Sequence, residues 1–156
     1  MADLLNNTNS NANNYGDDAI VTLSPREHIR LRPGMYVGVV GDGSQPDEAL
    51  YVLIKEVVDN SIDEFIMGAG RQIDITLADN VVTVRDYGRG IPLKSLAAAV
   101  GQMNTGGKYG GDAFKKTVGL NGVGVKAVNM LSEEFTARSV RDGEARTVTF
   151  AKGLEV

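Results

Sequence analysis

The sequence predicts one soluble domain that mixes α-helices with antiparallel β-hairpins. Its 156 residues are enough for a hydrophobic core, and 42% of them are hydrophobic. One long stretch has the 3.6-residue period of an amphipathic helix. Two pairs of short alternating segments are each separated by a two-residue turn signal, which is typical of hairpins. These observations favour a mixed helix-and-sheet fold.

Two helices are predicted in the first half of the chain. Ser24-Pro25-Arg26-Glu27 places a capping serine before a helical proline and a glutamate three residues after the cap, which is typical of a helix start. Arg32-Pro33-Gly34 ends that helix. Residues 47–67 carry apolar side chains at helical spacing, so a long helix is expected there, with Gly68 ending it.

Two hairpins are predicted farther along the chain. Residues 73–77 alternate apolar and polar side chains, and Asp79-Asn80 turns the chain into a strand over 81–85. Asp142-Gly143 joins a second pair of strands. The other predicted elements are strands over 135–140 and 145–150, an alanine-rich helix over 95–103, a glycine-rich loop over 104–118 and a helix over 123–131.

Composition excludes several classes of function. The formal net charge is −4 and Lys and Arg do not cluster, so this segment is not expected to bind DNA directly. Cysteine is absent, which removes disulfides and thiolate metal sites. Neither a long apolar run nor a signal-peptide pattern is present, so a cytoplasmic protein without a membrane span is predicted.

The first 18 residues are predicted to form a flexible N-terminal arm. Asn, Ser, Thr and Asp dominate them, and such a segment buries too little apolar surface to offset the entropy of ordering. The alternative is an arm that becomes ordered against a partner. The folded domain is expected to span residues 19–156.

The long helix carries the first of three candidate nucleotide-binding signatures. Glu56, Asn60 and Asp63 are spaced i, i+4 and i+7, so they share one helix face at the rim of the apolar stripe. A carboxylate such as that of Glu56 can accept a proton from a water that attacks a phosphate. The carboxamide oxygen of Asn60 is a suitable ligand for Mg²⁺. By themselves, these residues also fit a solvated helix face.

The second signature, Asp86-Tyr87-Gly88-Arg89-Gly90, ends a predicted strand. Asp86 has the parity of the apolar residues of that strand, so it is expected to turn inward with them, where an adenine amino group would give it a donor. Gly88 and Gly90 would let the backbone approach a flat ring, and Ile91-Pro92 offers that ring an apolar edge. The alternative is a turn that Asp and Gly merely shape.

The third signature, Gly119-Leu120-Asn121-Gly122-Val123-Gly124, leads directly into a helix. Its glycines match neither the dinucleotide fingerprint nor the P-loop. The N–H groups and dipole of a helix N-terminus nevertheless favour phosphate, and Lys108 and Lys115-Lys116 add cations nearby. A surface loop is the alternative, although ten of the 19 glycines lie between Gly88 and Gly124.

Taken together, these motifs resemble the N-terminal ATPase domain of the type II topoisomerase B subunits, gyrase B and topoisomerase IV B. Their superfamily also holds Hsp90, MutL and sensor histidine kinases. Residues 56–64 look like the N-box of this family, residues 85–92 like its adenine-binding box and residues 119–129 like its phosphate lid. Residues 32–38 are similar to an element specific to topoisomerase B subunits. The resemblance covers residues 15–156.

The resemblance implies a role for each site residue. Glu56 would be the general base, Asn60 the Mg²⁺ ligand and Asp86 the residue that reads adenine. The other residues implied to bind ATP are Gly88, Arg89, Gly90, Ile91 and Pro92 around the base, Lys108, Gly119, Leu120, Asn121, Gly122, Val123 and Gly124 at the phosphates, and Tyr15 of the arm.

The resemblance also implies an α+β fold, a two-layer sandwich with helices on one face of a mixed, largely antiparallel sheet. Tyr15 and Ile20 match arm positions that reach into the other protomer when ATP closes a dimer. The expected cofactors are ATP and Mg²⁺. The expected partners are a second copy of the chain, the topoisomerase A-type subunit and, in the holoenzyme, DNA whose strand passage ATP drives.

The sequence departs from the family pattern in two places. The segment between Pro92 and Gly106 is shorter than in many gyrase B sequences, and Asn121 stands where histidine is frequent. Membership of either the gyrase B or the topoisomerase IV B group is therefore compatible with the sequence, and topoisomerase IV B is preferred. The family's domain continues with further strands, and a second domain donates a lysine to the terminal phosphate. An incomplete ATP-binding domain with negligible hydrolysis by itself is therefore expected.

Two other functions within the superfamily stay open from the sequence. One is a phosphotransfer domain of the histidine-kinase type, which would lack residues 32–38 and the arm. The other is a chaperone-like clamp that uses ATP only to close.

Overall fold

The computed structural model describes residues 19–106 and 122–156. The predictions for the N-terminal arm over residues 1–18, and for Tyr15 within it, lie outside this part of the chain. The predicted phosphate-binding residues that also lie outside it are Lys108, Gly119, Leu120 and Asn121.

Helices and antiparallel strands make up the described chain, which confirms the predicted α+β class. The helices are α1 (Pro25–Leu31), α2 (Gly34–Val37), α3 (Ala49–Ile66), α4 (Leu96–Gly101) and α5 (Gly124–Leu131), with a 3₁₀ turn at Leu93–Ser95. The strands are β1 (Ile73–Ala78), β2 (Val81–Asp86), β3 (Glu134–Arg141), β4 (Glu144–Ala151) and β5 (Leu154–Glu155).

Local sequence signals account for the ends of the helices. The Glu27 backbone N–H donates to Ser24 Oγ at 3.3 Å, while the Ser24 N–H donates to Glu27 Oε2 at 2.8 Å, so the predicted capping box opens α1. Gly68 follows α3 with a φ of 81°, a conformation that glycine adopts at little cost. The sequence did not predict α2: its first residue, Gly34, was assigned to the break that ends α1, and no helix was assigned to the next three residues.

Each described pair of neighbouring strands is joined by a two-residue turn in which both residues have positive φ. Asp79 and Asn80 have φ of 51° and 61°, and Asp142 and Gly143 have φ of 54° and 81°. The third turn, Lys152-Gly153, joins β4 to β5 with φ of 50° and 83°. Such turns match the right-handed twist of the strands, so they fix the register of each hairpin.

In the described residues, the strands form two separate antiparallel sheets. The first pairs β1 with β2 and sets Ile75 opposite Val84. The second has the order β3-β4-β5 and sets Phe135 opposite Phe150. Helix α4 packs on the second sheet, where Leu96, Val100, Val148 and Phe150 form a buried cluster.

Helix α5 is the centre of the helical layer, since it packs against α1, α3 and α4. Asn129 of α5 is fully buried and donates from Nδ2 to the carbonyl oxygen of Val100 at 3.0 Å. Arg30 of α1 donates to the carbonyl oxygen of Met130 at 2.7 Å. These contacts anchor α5 and so fix the position of its N-terminus.

None of the helices in the described part of the chain has the length and apolarity needed to cross a membrane.

Candidate functional site

The side chain of Glu56 lies against the N-terminus of α5. A methyl group added to Gly124 would stand 1.8 Å from Glu56 Oε2, so only a glycine leaves room for the carboxylate there. Glu56 itself is half-buried in the middle of α3. The first and third signatures therefore meet, and the carboxylate lies beside the helix end that was predicted to receive phosphate.

Asn60 lies one turn after Glu56 on the exposed surface of α3. Its Nδ2 donates to the carbonyl oxygen of Glu56 at 2.6 Å, which leaves its side-chain oxygen as the atom that can coordinate a cation. In the described residues, no group of three or more His, Cys, Asp or Glu side chains is placed to hold a metal. Mg²⁺ takes hard oxygen ligands and retains waters and substrate phosphates, so a single carboxamide oxygen fits it.

Asp86 is the last residue of β2 and lies next to Ser61 of α3. Its Oδ1 accepts from the Gly88 N–H at 2.9 Å, and its Oδ2 lies 3.4 Å from Ser61 Oγ, longer than an ordinary O–H···O bond. A carboxylate has about four acceptor positions, so Asp86 retains capacity for a further donor. The prediction that Asp86 is buried is wrong: it is exposed because it is the last residue of β2 and opens onto a cavity.

That cavity has a volume of about 230 Å³ and lies between α3 and the start of β1. Ser61 and Asp86 supply polar atoms to it, while Ile62, Phe65 and Ile73 supply apolar surface. Neither Glu56 nor Asn60 lines it. The cavity thus has the mixed polar and apolar lining that a base requires, and it does not extend to Glu56 or Asn60.

Arg89 is fastened to α3 by a bidentate ion pair. Its Nε and Nη2 donate to Glu64 Oε2 and Oε1 at 3.0 and 2.8 Å, and its backbone N–H donates to Oε2 at 3.1 Å. This carboxylate raises the pKa of the Arg89 guanidinium above its ordinary value, so the arginine stays charged. This bidentate ion pair holds the second signature, which contains Arg89, against α3, which carries the first signature.

The glycines of the second signature are required by protein packing. A methyl group on Gly88 would lie 2.9 Å from Glu64 Cβ, and one on Gly90 would lie 2.4 Å from the carbonyl oxygen of Val140. Gly90 also has a φ of 73°. The sequence attributed these glycines to the approach of a base, whereas their immediate neighbours are α3 and β3. Ile91 and Pro92 that follow are exposed, as an apolar edge for a ring requires.

The N-terminus of α5 has no side-chain cap from Val123, its N-cap residue in the described chain. The first N–H groups of an α-helix lack intrahelical acceptors, so they are available to an anion. Gly122 precedes the helix with a φ of 60°. Lys126 in the first turn is buried, and its Nζ donates to the carbonyl oxygen of Thr105 at 2.7 Å.

The structure brings α3, the end of β2 and the start of α5 together through three contacts that involve Glu56, Ser61 and Glu64. Sequence reasoning missed Ser61 and Glu64. Glu64 stands four residues after Asn60 and eight after Glu56, so its helical spacing was the available signal. Ser61 carried no such signal, because its contact with Asp86 depends on tertiary packing.

Comparison with known proteins defines the class. A family profile described as "Histidine kinase-, DNA gyrase B-, and HSP90-like ATPase" matches residues 45–154. The match covers more than half of the chain, and the chain belongs to this family of ATPases.

Within the family, the chain is similar to topoisomerase B subunits. It is 56% identical over 140 residues to the B subunit of DNA topoisomerase 4 from Borreliella burgdorferi, covering 90% of this chain and 23% of the relative. It is 42% identical over 153 residues to the B subunit of DNA gyrase from Rickettsia conorii, covering 92% of this chain and 18% of the relative. The chain therefore spans about a fifth of the length of these curated relatives.

A solved structure shares the fold. The 43K ATPase domain of Thermus thermophilus gyrase B, in complex with an aminocoumarin, superposes with a TM-score of 0.67 at 28% sequence identity. The likeness covers 84% of this chain and 32% of that one.

Proposed function

We propose that this chain is the ATP-binding part of a type II topoisomerase B subunit, in which ATP binding and hydrolysis gate the passage of a DNA strand. The observation that carries the proposal is that one helix, α3, contacts both other signatures: Glu56 lies against Gly124 of α5, and Glu64 binds Arg89 after β2. The relatives at 56% and 42% identity are both topoisomerase B subunits, which favours this function over a phosphotransfer or chaperone-like one.

The base of ATP would occupy the cavity beside Asp86. The exposed carboxylate accepts from the adenine amino group, and the apolar walls of Ile62 and Ile73 take the ring. Ile91 and Pro92 do not line the cavity, but they are exposed and follow the Asp86 turn, so they would form an outer apolar edge of the site. The ion pair with Glu64 holds Arg89, two residues before Ile91, against α3.

The triphosphate would extend toward α5. The N–H groups of this helix and of the Gly122 turn receive phosphate oxygens, and Asn60 holds Mg²⁺ by its side-chain oxygen. Mg²⁺, when bound, neutralises charge on the triphosphate. Glu56 then accepts the proton of the attacking water, for which its place beside Gly124 is suitable.

The rest of the proposed function concerns the longer protein. The N-terminal arm with Tyr15 would cross to a second protomer on ATP binding, Lys108 and residues 119–121 would cover the phosphates, and an A-type subunit would complete a cytoplasmic holoenzyme that holds DNA. The preference for topoisomerase IV over gyrase is tested by whether that holoenzyme decatenates linked circles or introduces negative supercoils.

The base end is tested by Asp86→Asn. An asparagine keeps the size of the side chain but replaces an acceptor oxygen with a donor that faces the adenine amino group. We expect ATP affinity, measured by calorimetry, to fall by about 5- to 150-fold, since an unmatched polar pair buried by the bound base costs roughly 1–3 kcal/mol. Asp47→Asn, an exposed change before α3, is the matched control. Equal affinity in the two variants would remove Asp86 from the site.

The hydrolytic end is tested by Glu56→Gln in the full-length protein. Loss of a general base lowers turnover by roughly 10²–10⁴-fold. ATP affinity is expected to stay close to wild type, because Glu56 acts on water rather than on the nucleotide. Wild-type turnover in this variant would rule out Glu56 as the base.

A further inference from the structure

The backbone that follows the second signature is held from one side by the β3–β4 hairpin. Ser139 Oγ donates to the carbonyl oxygen of Ile91 at 2.7 Å, and Ser139 is 4% exposed. Arg146 Nη1 donates to the carbonyl oxygen of Leu93 at 2.8 Å and lies 3.4 Å from that of Lys94. Two side chains of the hairpin thus engage three carbonyl groups of one short segment.

This segment has little room to shift. Gly90 packs so closely on β3 that a methyl group there would meet the Val140 carbonyl oxygen at 2.4 Å. Arg141 Nη1 lies 3.3 Å from the carbonyl oxygen of Gly90. The contacts at Gly90, Ile91 and Leu93 follow one another along the chain, and all come from the same hairpin.

Residues 90–92 belong to neither a helix nor a strand, and the Pro92 carbonyl oxygen, which accepts from the Ser95 N–H at 2.9 Å, has the backbone hydrogen bond that starts the next turn. Side chains of β3 and β4 bind the neighbouring carbonyl groups of Ile91 and Leu93. An irregular segment of this kind keeps one position only while the side chains that donate hydrogen bonds to its carbonyl groups are present.

We infer that Ser139 and Arg146 are positioning residues of the nucleotide site. By holding the carbonyl groups of Ile91 and Leu93, they fix the backbone of Ile91 and Pro92, the exposed apolar edge that the proposed function gives to the base. This inference rests on the proposed function, because it takes Ile91-Pro92 as a wall of an ATP site. Neither residue touches the nucleotide, and both act through the segment between Gly90 and Lys94. A wall that is already ordered costs no further entropy when the base binds.

The test is ATP affinity in Ser139→Ala and Ser139→Thr. Alanine removes the only donor to the Ile91 carbonyl oxygen in the described chain, whereas threonine retains a hydroxyl. We expect the alanine variant to bind ATP about three- to tenfold more weakly and the threonine variant to recover most of that loss, as for a single hydrogen bond. In hydrolysis by the full-length protein, KM for ATP should rise while kcat is kept.

Amide hydrogen exchange supplies a readout that a general loss of stability would not reproduce. Exchange at Ile91 and at residues 93–95 should accelerate in Ser139→Ala while exchange in α5 stays at the wild-type rate. Thr136→Ala is the matched control, since Thr136 lies on the same strand and pairs with Thr149 at an exposed position. Arg146→Ala and its control Arg138→Ala repeat the comparison with an exposed arginine of the same hairpin.

The outcomes separate the two proposals. A wild-type protein that does not bind ATP would overturn the proposed function and this inference together. A wild-type protein that binds ATP, with Ser139→Ala and Arg146→Ala binding as tightly as their controls, would overturn the inference alone. If Ser139→Ala does not fold, Arg146→Ala against Arg138→Ala decides.

Discussion

Asp74 on β1 accepts hydrogen bonds from two side chains, Gln72 and Tyr87, at 2.7 Å each. These bonds lower the pKa of the Asp74 carboxyl below its ordinary value, and the same contact raises the pKa of the Tyr87 phenol. Arg85 also lies over the Tyr87 ring, 4.6 Å from its centroid. A cluster of exposed side chains therefore joins the start of β1 to the turn of the second signature.

This cluster predicts a dependence of stability on pH. A carboxyl whose pKa is lower in the folded state stabilises the fold above its unfolded pKa, and that contribution is lost as the pH falls through its folded pKa. Asp74→Asn should therefore reduce stability near neutral pH and flatten the loss of stability below about pH 4. Denaturant titrations at a series of pH values measure this. Tyr87→Phe removes one of the two hydrogen-bond donors to Asp74, so the pH dependence of its stability should be intermediate between those of Asp74→Asn and wild type. Identical pH profiles for the three proteins would contradict the prediction.

At the scale of single residues, the sequence predicted positions well where a local pattern specified them. Spacing on a helix put Glu56 and Asn60 on one face, and the Asp-Tyr-Gly-Arg-Gly order marked the end of a strand. Burial of Asp86 was predicted wrongly, since parity along a strand does not reveal where the neighbouring layer stops. The roles of these residues in binding and hydrolysis stay predictions.

At the scale of elements, the N-terminus of α5 packs against the middle of α3 at one glycine, Gly124, which leaves space for the Glu56 side chain. Gly124→Ala places a methyl group where Glu56 Oε2 now lies, so the carboxylate must move. Alanine favours the helix by about 1 kcal/mol, and the chain should remain folded. Hydrolysis by the full-length protein should fall at least about tenfold, because a displaced base no longer reaches its water.

Gly34→Ala is the control for this change. Gly34 also begins a short helix, and a methyl group there would meet no atom within 4 Å. Melting temperature and turnover, measured on both variants, separate an effect on folding from one on Glu56. Unchanged hydrolysis in Gly124→Ala would show that the position of this carboxylate does not matter.

Most elements could be predicted from local signals. The capping box located α1, the apolar period located α3, and Asp-Asn and Asp-Gly located two hairpin turns. The third turn, Lys152-Gly153, and the short α2 were missed, because neither has the length or the composition that marks an element. Helix α5 begins at Gly124, one residue after the predicted start at Val123.

For the whole molecule, α1 is joined to distant parts of the chain by two arginines. Arg26 Nε donates to the carbonyl oxygen of Lys152 at 2.6 Å, and Arg30 Nη1 donates to that of Met130 at 2.7 Å. Arg30→Ala should therefore lower the free energy of unfolding by about 1–2 kcal/mol, as for a charged donor to a carbonyl. Arg32→Ala, at an exposed position just after α1, should change it by less than about 0.5 kcal/mol. Chemical denaturation compares the two, and equal values would show that the arginine does not anchor α1.

The arrangement of the layers could not be predicted from hydrophobic patterns. The resemblance implied one sheet, whereas the described strands form a two-stranded and a three-stranded sheet. Patterns of alternation identify which residues form a strand, but they do not identify its neighbour when the connection is long. The family resemblance supplied the class of fold, which the structural likeness to a gyrase B ATPase domain confirms.

The two-residue hairpin turns have a consequence for the order in which the chain assembles. Strands joined this way meet after closing a minimal loop, whereas the contacts of the candidate site join residues 25 to 68 positions apart. We therefore expect the hairpins to form before the contacts of the candidate site. When the protein is heated or mutated, the ATP-binding region should open while the hairpins persist, so nucleotide affinity is the most sensitive measure of damage anywhere in the fold.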